Sequence, residues 1–309
     1  MDILDKIDNK TIKVLDHGYV QLVDVMPRVL EEDETCDIAI CDAARVSYQA
    51  GTERKSTDQG LINYLMRHRH TSPFEMVEFK FECRMPIFVA RQWVRHRTAS
   101  LNEESARYSK LRGDFYLPKP GTLRQQSDNN KQATESNGFF DPALYAGSGH
   151  DGSDWSVHQA TDHLHKNANE AYDLYKELLD QDVAREQARM VLGTNIYTSW
   201  VWKMDLHNLL HFLRLRLDPH AQYEIRVYAE AIAEFVKQLC PWTWEAFEKY
   251  QLNACSFSGP ELKLISQLLK EHNYIEELIN SPDPHPEQLA ASDISKGEWR
   301  EFLVKLGTL

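Results

Sequence analysis

Residues Arg91–Tyr108 read RQWVRHRTASLNEESARY and form a cationic segment inside an acidic protein. Between Arg84 and Lys110, six Arg and Lys residues stand against two acids, a local balance of +4, whereas the whole chain of 309 residues has a net charge of -12. Arginines at a helix end can simply complement the helix dipole. This segment, however, also contains many hydrogen-bonding side chains, which suit neither a core nor a linker. The cationic segment, residues 91–108, therefore predicts a site for an anionic ligand.

The overall composition excludes several classes of protein. With 42% hydrophobic and 27% charged residues, the chain is typical of a folded globular protein. Its acidic balance argues against general binding to nucleic acid, which depends on a widespread basic surface, and favours a small phosphorylated ligand. The sequence lacks a signal peptide and an apolar stretch of membrane-spanning length, and its five cysteines contain no CxxC pair. We therefore expect a cytoplasmic protein with free thiols.

Hydrophobic periodicity predicts an order of elements around this segment. Alternation predicts strands at 12–15, 20–25 and 77–83, with a turn at His17–Gly18 between the first two. Helical spacing predicts helices over 56–68, from Ile87 to about Arg95, and over 157–179, 183–191, 205–217 and 220–239. Pro86 would open the second of these, and Asp218–Pro219 would cap and begin the last.

Two stretches differ from the rest of the chain in composition. Residues 119–156 are rich in Ser, Gly, Asn and Asp, which indicates a long inserted loop. Residues 251–309 are charged, helical in pattern and punctuated by proline, which predicts an appendage of two or three helices.

Arginine is the expected phosphate ligand, because the sequence has neither a GxGxxG nor a GxxxxGK[ST] motif. Its planar fork donates paired hydrogen bonds to phosphate and keeps its charge. Beyond the cationic segment, Arg189, Arg214 and Arg216 are candidates, and Arg216 lies just before the Asp218–Pro219 break. An ion pair with one of the many acids is the alternative role for Arg216.

Other chemistries find weaker support in the sequence. His207 and His211 have the spacing of two metal ligands on one helix face, but Asn208 stands where a zinc protease has its glutamate. Capping or buried histidines are therefore the favoured interpretation, and no metal is expected. Cys83 and Cys240 lack a sequence neighbour that would activate a thiol, so both are interpreted as packing residues.

The cationic segment resembles a family signature. Residues 95–108 are similar at every fixed position to RHRxxSxNExSxRY, the signature of flavin-dependent thymidylate synthases. Further stretches resemble the same family in the same order: 43–47, 70–75, 86–93, Arg216 with 218–222, and 224–225. The resemblance covers roughly residues 10–250, which would form a single catalytic domain.

The resemblance implies a fold, an activity and an assembly. The fold would be α+β, an antiparallel sheet flanked by helices, in a homotetramer with active sites shared between subunits. The activity would be the reductive methylation of dUMP to dTMP, with methylenetetrahydrofolate as the carbon donor and NADPH as the reductant through FAD. These expectations include no nucleic acid and no membrane as partners.

The resemblance also implies roles for individual residues. Arg216 would be catalytic, binding the uracil ring and favouring its N3-ionised form. The FAD-binding residues would be His70, Ser72, Arg95, His96, Arg97, Glu103, Asp205 and His211. The dUMP-binding residues would be Gln92, Trp93, Val94, Arg95, Glu103, Glu104, Ser105, Ala106, Arg107, Arg189 and Arg216. Asp205 stands where some members carry Asn, which leaves its role open.

Two alternatives come from other functional classes. The same arginines would suit a non-catalytic protein that clamps the phosphates of a nucleotide or an RNA, although the acidic remainder of the chain disfavours it. His207 and His211 would suit a metal hydrolase.

Overall fold

A five-stranded antiparallel sheet is the frame of the first of two units, Met1–Leu252 and Asn253–Leu309, into which the chain divides. The computed structural model describes residues 1–47, 57–119, 123–127, 134–139, 157–271 and 294–305. The strands are β1 (Thr11–Val14), β2 (Gly18–Met26), β3 (Glu78–Pro86), β4 (Ser100–Glu103), β5 (Arg124–Gln126), β6 (Thr134–Phe139) and β7 (Tyr197–Asp205). The large sheet has the order β1-β2-β3-β7-β4, and β5 and β6 form a separate pair.

Helices accompany the sheet, which makes the fold α+β. In the first unit they are α1 (Asp37–Arg45), α2 (Asp58–Arg67), α3 (Ile87–Trp93), α4 (Val157–Asp180), α5 (Arg185–Ala188), α6 (Leu206–Arg216), α7 (Tyr223–Leu239) and α8 (Pro241–Phe247). The second unit contains α9 (Gly259–Glu271) and α10 (Lys296–Lys305). Within the described residues, no helix is long and apolar enough to cross a membrane.

The core on one face of the sheet includes a layer of aromatic side chains. Phe79 and Phe81 on β3 are fully buried, as are their neighbours Trp200 and Trp202 on β7. Phe235 of α7 packs on Phe81 with ring centroids 5.9 Å apart. Each such side chain contributes roughly 1.5–3 kcal/mol by leaving water, so this layer holds α7 on the sheet.

Most of the predicted elements are confirmed, with shifted ends. The predicted strand at 77–83 extends to Pro86, which ends the strand and caps α3. The predicted helix at 183–191 is a short α5 followed by a 3-10 turn, Arg189–Val191. The prediction that Asp218 caps a helix beginning at 219 is wrong. The Asp218 carboxylate accepts from the backbone nitrogen of His220 at 2.7 Å and closes a local turn, and α7 begins only at Tyr223.

Six of these elements were not predicted, namely β4, β5, β6, β7, α1 and α8. The strand β7 carries a period-2 burial pattern, in which Thr198, Trp200, Trp202 and Met204 are buried, so its signal was present in the sequence. The strand β4 lies within the cationic segment and is exposed at all four positions, so no hydrophobic pattern marks it. The helix α1 was also missed.

The cysteines and the two unusual stretches can be placed only in part. Cys83 and Cys240 are fully buried in the core, and burial raises the pKa of both thiols, as expected of packing residues. Most of the loop predicted at about 119–156 lies outside the described residues, apart from β5 and β6. Of the predicted appendage, residues 272–293 lie outside them as well.

A buried carboxylate ties α1 to α8. Asp37 is fully buried, and its Oδ1 accepts from the backbone nitrogen and the hydroxyl of Thr243 at 3.0 and 2.6 Å. Its Oδ2 accepts from the backbone nitrogen of Trp242 at 2.9 Å and from the hydroxyl of Thr35 at 3.1 Å. The side chain thus satisfies the free N–H groups at the start of α8, a helix more than 200 residues away in the chain.

We expect Asp37→Ala to destabilise the protein by about 3 kcal/mol, because it leaves several buried donors without an acceptor. For a unit of this size, the melting temperature would fall by roughly 10 °C. The matched control is Asp42→Ala, which removes an exposed carboxylate from the same helix. Equal melting temperatures for the two variants would contradict this role of Asp37.

Candidate active site

Two residues 120 positions apart meet at the edge of the core. The Nε of Arg216, at the end of α6, donates to the Nε2 of His96, which follows α3, at 3.1 Å. Both side chains are half-buried. The structure therefore joins the cationic segment to the distant arginine that the sequence analysis singled out.

Burial sets the charge state of this pair. Burial, together with the positive charges of Arg216 and His211, lowers the pKa of His96 from 6.5 to about 4. Burial also lowers the pKa of Arg216, although a guanidinium keeps its charge at neutral pH. His96 is therefore a neutral acceptor at neutral pH, and its lone pair orients the Arg216 fork.

Aromatic packing explains why His96 and Arg216 meet. Trp93, the last residue of α3, stacks on Phe212 of α6 with ring centroids 5.2 Å apart. His96 stands edge-on to the same Phe212 ring at 4.9 Å and lies 6.2 Å from the ring of His211. Because the Trp93 side chain is fully buried in this contact, a nucleotide can reach position 93 only through the backbone.

The second half of the cationic segment runs along β7 as β4. The hydroxyl of Thr198 donates to Oε1 of Glu103 at 2.7 Å, and the backbone nitrogen of Glu104 donates to the carbonyl of Ser199 at 2.9 Å. Burial raises the pKa of the Glu104 carboxyl. The two glutamates are thus positioned by β7, a strand that was not predicted.

Arg107 and Arg189 approach each other through Glu186. The Nε of Arg107 lies 3.6 Å from Oε2 of Glu186, and the Nε of Arg189 donates to the Glu186 carbonyl at 3.3 Å. The hydroxyl of Ser105 accepts from the backbone nitrogen of Arg107 at 3.2 Å. All three charged side chains are exposed, so the Arg107–Glu186 pair is weak and an anionic ligand can replace it.

Arg95 and Arg97 flank His96 and are exposed. In the described parts of the chain, no carboxylate forms an ion pair with either of them. Two exposed guanidinium groups that no described carboxylate neutralises fit a phosphate-bearing cofactor.

Three further predicted site residues, Asp205, His70 and Ser72, make contacts with residues close to them in the sequence. Asp205 caps α6, because its two oxygens accept from the backbone nitrogen and the side-chain nitrogen of Asn208 at 2.9 and 2.8 Å. His70 stands edge-on to Tyr64 at 5.8 Å, and the Ser72 carbonyl accepts from the backbone nitrogen of Glu75. These contacts of His70 and Ser72 are local and do not reach Arg216.

Gln92, Val94 and Ala106 complete the predicted set. The Nε2 of Gln92 donates to Oε1 of Gln222, the residue before α7. Val94 is exposed, whereas Ala106 is buried. The partners Gln222, Glu186 and Thr198 had no assigned role in the sequence analysis, since only the tertiary contacts reveal them.

The metal alternative lacks a set of ligands. Among the residues whose placement is described, no three His, Cys, Asp or Glu side chains lie close enough to hold a metal ion. His207 and His211 therefore stand on α6 without a third ligand there.

Residues 28–242 match the Thy1 family, described as "Thymidylate synthase complementing protein". The chain belongs to the flavin-dependent thymidylate synthase family. It is 44% identical to the flavin-dependent thymidylate synthase of Rickettsia conorii over 98% of this chain and 96% of that one. It is 47% identical to the enzyme of that name from Dictyostelium discoideum over 85% of this chain and 82% of that one.

A solved structure supports the same family assignment. The structure of a UMP/dUMP methylase, PolB from Streptomyces cacaoi bound with 5-Br dUMP, has a TM-score of 0.64 and 32% identity to this chain. The similarity covers 78% of this chain and 99% of PolB. The part of this flavin-dependent thymidylate synthase family member that matches the family, residues 28–242, includes both His96 and Arg216.

We expect His96 to make the stability of the ligand-free protein pH-dependent. Its pKa is about 4 in the folded protein against an ordinary 6.5, so between these values the unfolded chain binds a proton that the folded protein does not. The contribution of His96 to the free energy of unfolding is therefore complete above pH 6.5 and is lost as the pH falls towards 4.

His96→Gln keeps an acceptor for Arg216 but cannot titrate. Its free energy of unfolding should therefore fall less than that of the wild type as the pH falls from 6.5 to 4. Urea unfolding at about pH 7, 5.5 and 4 measures the difference. His165→Gln, which removes an exposed histidine of α4, is the control. Parallel curves for the wild type and His96→Gln would exclude a neutral, buried His96.

Proposed function

We propose that this protein is an FAD-dependent thymidylate synthase, a methyltransferase that converts dUMP to dTMP in dTMP biosynthesis. Methylenetetrahydrofolate would supply the carbon and NADPH the reducing equivalents. The single observation that carries the proposal is the contact between Arg216 and the neutral His96, which joins the cationic segment to α6. Family membership supports the class of reaction, and the 5-Br dUMP bound to PolB supports a pyrimidine nucleotide as the substrate.

FAD and dUMP would share the cationic segment. The exposed guanidinium groups of Arg95 and Arg97, which form no ion pair with any residue that the structure describes, fit the phosphates of FAD. The FAD-binding residues would be His70, Ser72, Arg95, His96, Arg97, Glu103, Asp205 and His211. The dUMP-binding residues would be Gln92, Arg95, Glu103, Glu104, Ser105, Arg107, Arg189 and Arg216, together with the backbone of Trp93, Val94 and Ala106.

Arg216 would act on the pyrimidine. A guanidinium has five N–H groups, and His96 accepts only one of them. No carboxylate among the described residues neutralises this half-buried cation. Away from bulk water, such a charge strongly stabilises negative charge that develops on a neighbouring ring. Arg216 would thereby favour the N3-ionised form of uracil.

The redox step would not need a protein thiol. FAD, when bound, supplies the redox chemistry that a reductive methylation requires. Cys83 and Cys240 are buried with raised pKa values, so neither is an activated nucleophile. The protein residues would hold the reactants and stabilise charge.

The proposal extends to assembly and location. Residues 1–250 would be the catalytic domain of a cytoplasmic homotetramer, and 251–309 its helical appendage. Arg107 and Arg189 are exposed on the surface of the chain, where a neighbouring subunit can complete a shared site.

The activity and the role of Arg216 can be tested together. The purified protein should carry a yellow flavin chromophore and form dTMP from dUMP and methylenetetrahydrofolate while it oxidises NADPH. Arg216→Ala should retain the flavin but lose activity about a hundredfold or more, because it removes a preorganised charge from the transition state. Lys237→Ala, an exposed change on α7, is the control. A protein that FAD cannot reconstitute would exclude the proposed function, and unchanged dTMP formation by Arg216→Ala would exclude its role.

Arg97→Ala should weaken FAD binding about tenfold or more, since a hydrogen bond to a charged group contributes roughly 1.5–3 kcal/mol. Arg91→Ala is the matched control, because Arg91 is also an exposed arginine of the cationic segment but carries no proposed contact. Flavin fluorescence titration of the apoprotein measures both. Equal losses in the two variants would indicate a general charge effect and contradict a specific contact at Arg97.

A further inference from the structure

A relay of side-chain hydrogen bonds leads from the cationic segment to a buried tyrosine. The Nε2 of Gln92 donates to Oε1 of Gln222. The Nε2 of Gln222 in turn donates to Oε2 of Glu224 at 2.8 Å, and the hydroxyl of Tyr116 donates to the other oxygen, Oε1, at 3.1 Å. The relay connects α3, the start of α7 and the segment that follows the signature.

Hydrogen-bond chemistry gives this relay a direction. The carboxylate of Glu224 accepts hydrogen bonds and donates none, so the amide of Gln222 must turn its NH2 group towards it. The carbonyl of Gln222 then faces Gln92 and demands the NH2 group of that residue. The Oε1 of Gln92 is the end left to accept a hydrogen bond from a ligand.

The far end of the relay is held firmly. Tyr116 is buried, and its backbone nitrogen donates to the carbonyl of Asn195 at 2.8 Å. The side chain of Asn195 donates back to the Tyr116 carbonyl at 3.2 Å, and the Tyr116 ring packs on Phe88 at 5.8 Å. Glu224 lies in the first turn of α7, where the helix dipole favours a negative charge.

We propose that Glu224 is a positioning residue of the nucleotide site, which acts through Gln222 to present Oε1 of Gln92 to the nucleotide as an acceptor. This inference rests on the proposed function, because it assumes that Gln92 contacts dUMP. At neutral pH, free dUMP offers two donors, the N3–H of the base and the 3′-hydroxyl of the sugar, and the N3-ionised form that Arg216 would favour keeps only the second. Gln92 accepts from one of them.

The first experiment replaces the Glu224 carboxylate, which only accepts hydrogen bonds, by an amide of the same shape. In Glu224→Gln, either end of the new amide can face Gln222, so Gln92 presents an N–H group in part of the molecules. We expect the Kd for dUMP to rise about tenfold, with kcat at saturating dUMP and FAD content within about twofold of the wild type. Glu230→Gln, an exposed change further along α7, is the matched control and should leave all three quantities unchanged.

The second experiment tests whether Glu224 acts through Gln92. In a Gln92→Ala background, Glu224→Gln should have no further effect on the Kd for dUMP, since coupled residues are not additive. A tenfold loss in both backgrounds would overturn the inference. Gln222→Leu interrupts the relay at an exposed position and should reproduce the Kd of Glu224→Gln, so the test survives if the latter does not fold.

Two analogues identify the donor. N3-methyl-dUMP lacks the base donor, and 2′,3′-dideoxy-UMP lacks the sugar donor. The analogue without the relevant donor should bind equally to the wild type and to Glu224→Gln. If both analogues still distinguish the two proteins tenfold, Gln92 accepts from neither donor and the inference is wrong. A wild type that binds no dUMP would instead refute the proposed function.

Discussion

The antiparallel pairing of β3 with β7 is the constraint on which the rest of the site depends. It runs over nine residue pairs, from Glu78 opposite Asp205 to Pro86 opposite Tyr197. Each strand leads directly into a helix, β3 into α3 and β7 into α6. On its other edge, β7 pairs with β4, the strand formed by the cationic segment. A slip of one residue in β7 would turn its buried tryptophans outward and displace the candidate site on both sides.

Burial has opposite consequences for the two partners at the centre of the site. It keeps His96 neutral, which lets the imidazole accept from a cation that would otherwise repel its protonated form. It leaves Arg216 charged but without a carboxylate among the described residues. A cation in this state is costly in the free protein. An anionic ligand would offset the cost, so the stability of the fold and the proposed chemistry are linked through one pair of side chains.

The exposed arginines differ in kind from Arg216. Arg95, Arg97, Arg107 and Arg189 lie in water, where each ion pair contributes little and each ligand contact costs little to form. They suit the capture of phosphates. Arg216 suits the stabilisation of charge on a ring, because its fork is oriented and partly shielded. In the proposed function, the exposed arginines would bind the ligands and the half-buried Arg216 would act in catalysis.

The sequence by itself carried the local features. Alternation in 77–83 marked β3, helical spacing marked α6 and α7, and the density of arginine marked an anion site, because each of these signals depends on neighbours in the chain. The family signature extended this to the list of candidate residues. The exposed strand β4 had no hydrophobic pattern and could not be recognised. The start of α7 was misplaced, because Asp218 closes a turn of its own.

Only the tertiary structure decided which of these residues meet. The contact of His96 with Arg216 spans 120 positions, and the orientation of Gln92 depends on Gln222, Glu224 and Tyr116. The pKa of His96 likewise depends on burial beside Phe212 and on the charges of Arg216 and His211, which are distant only in the sequence. Sequence periodicity reports which face of an element is buried. It does not report which elements share a core, and in this protein the pairing of β7 determines that.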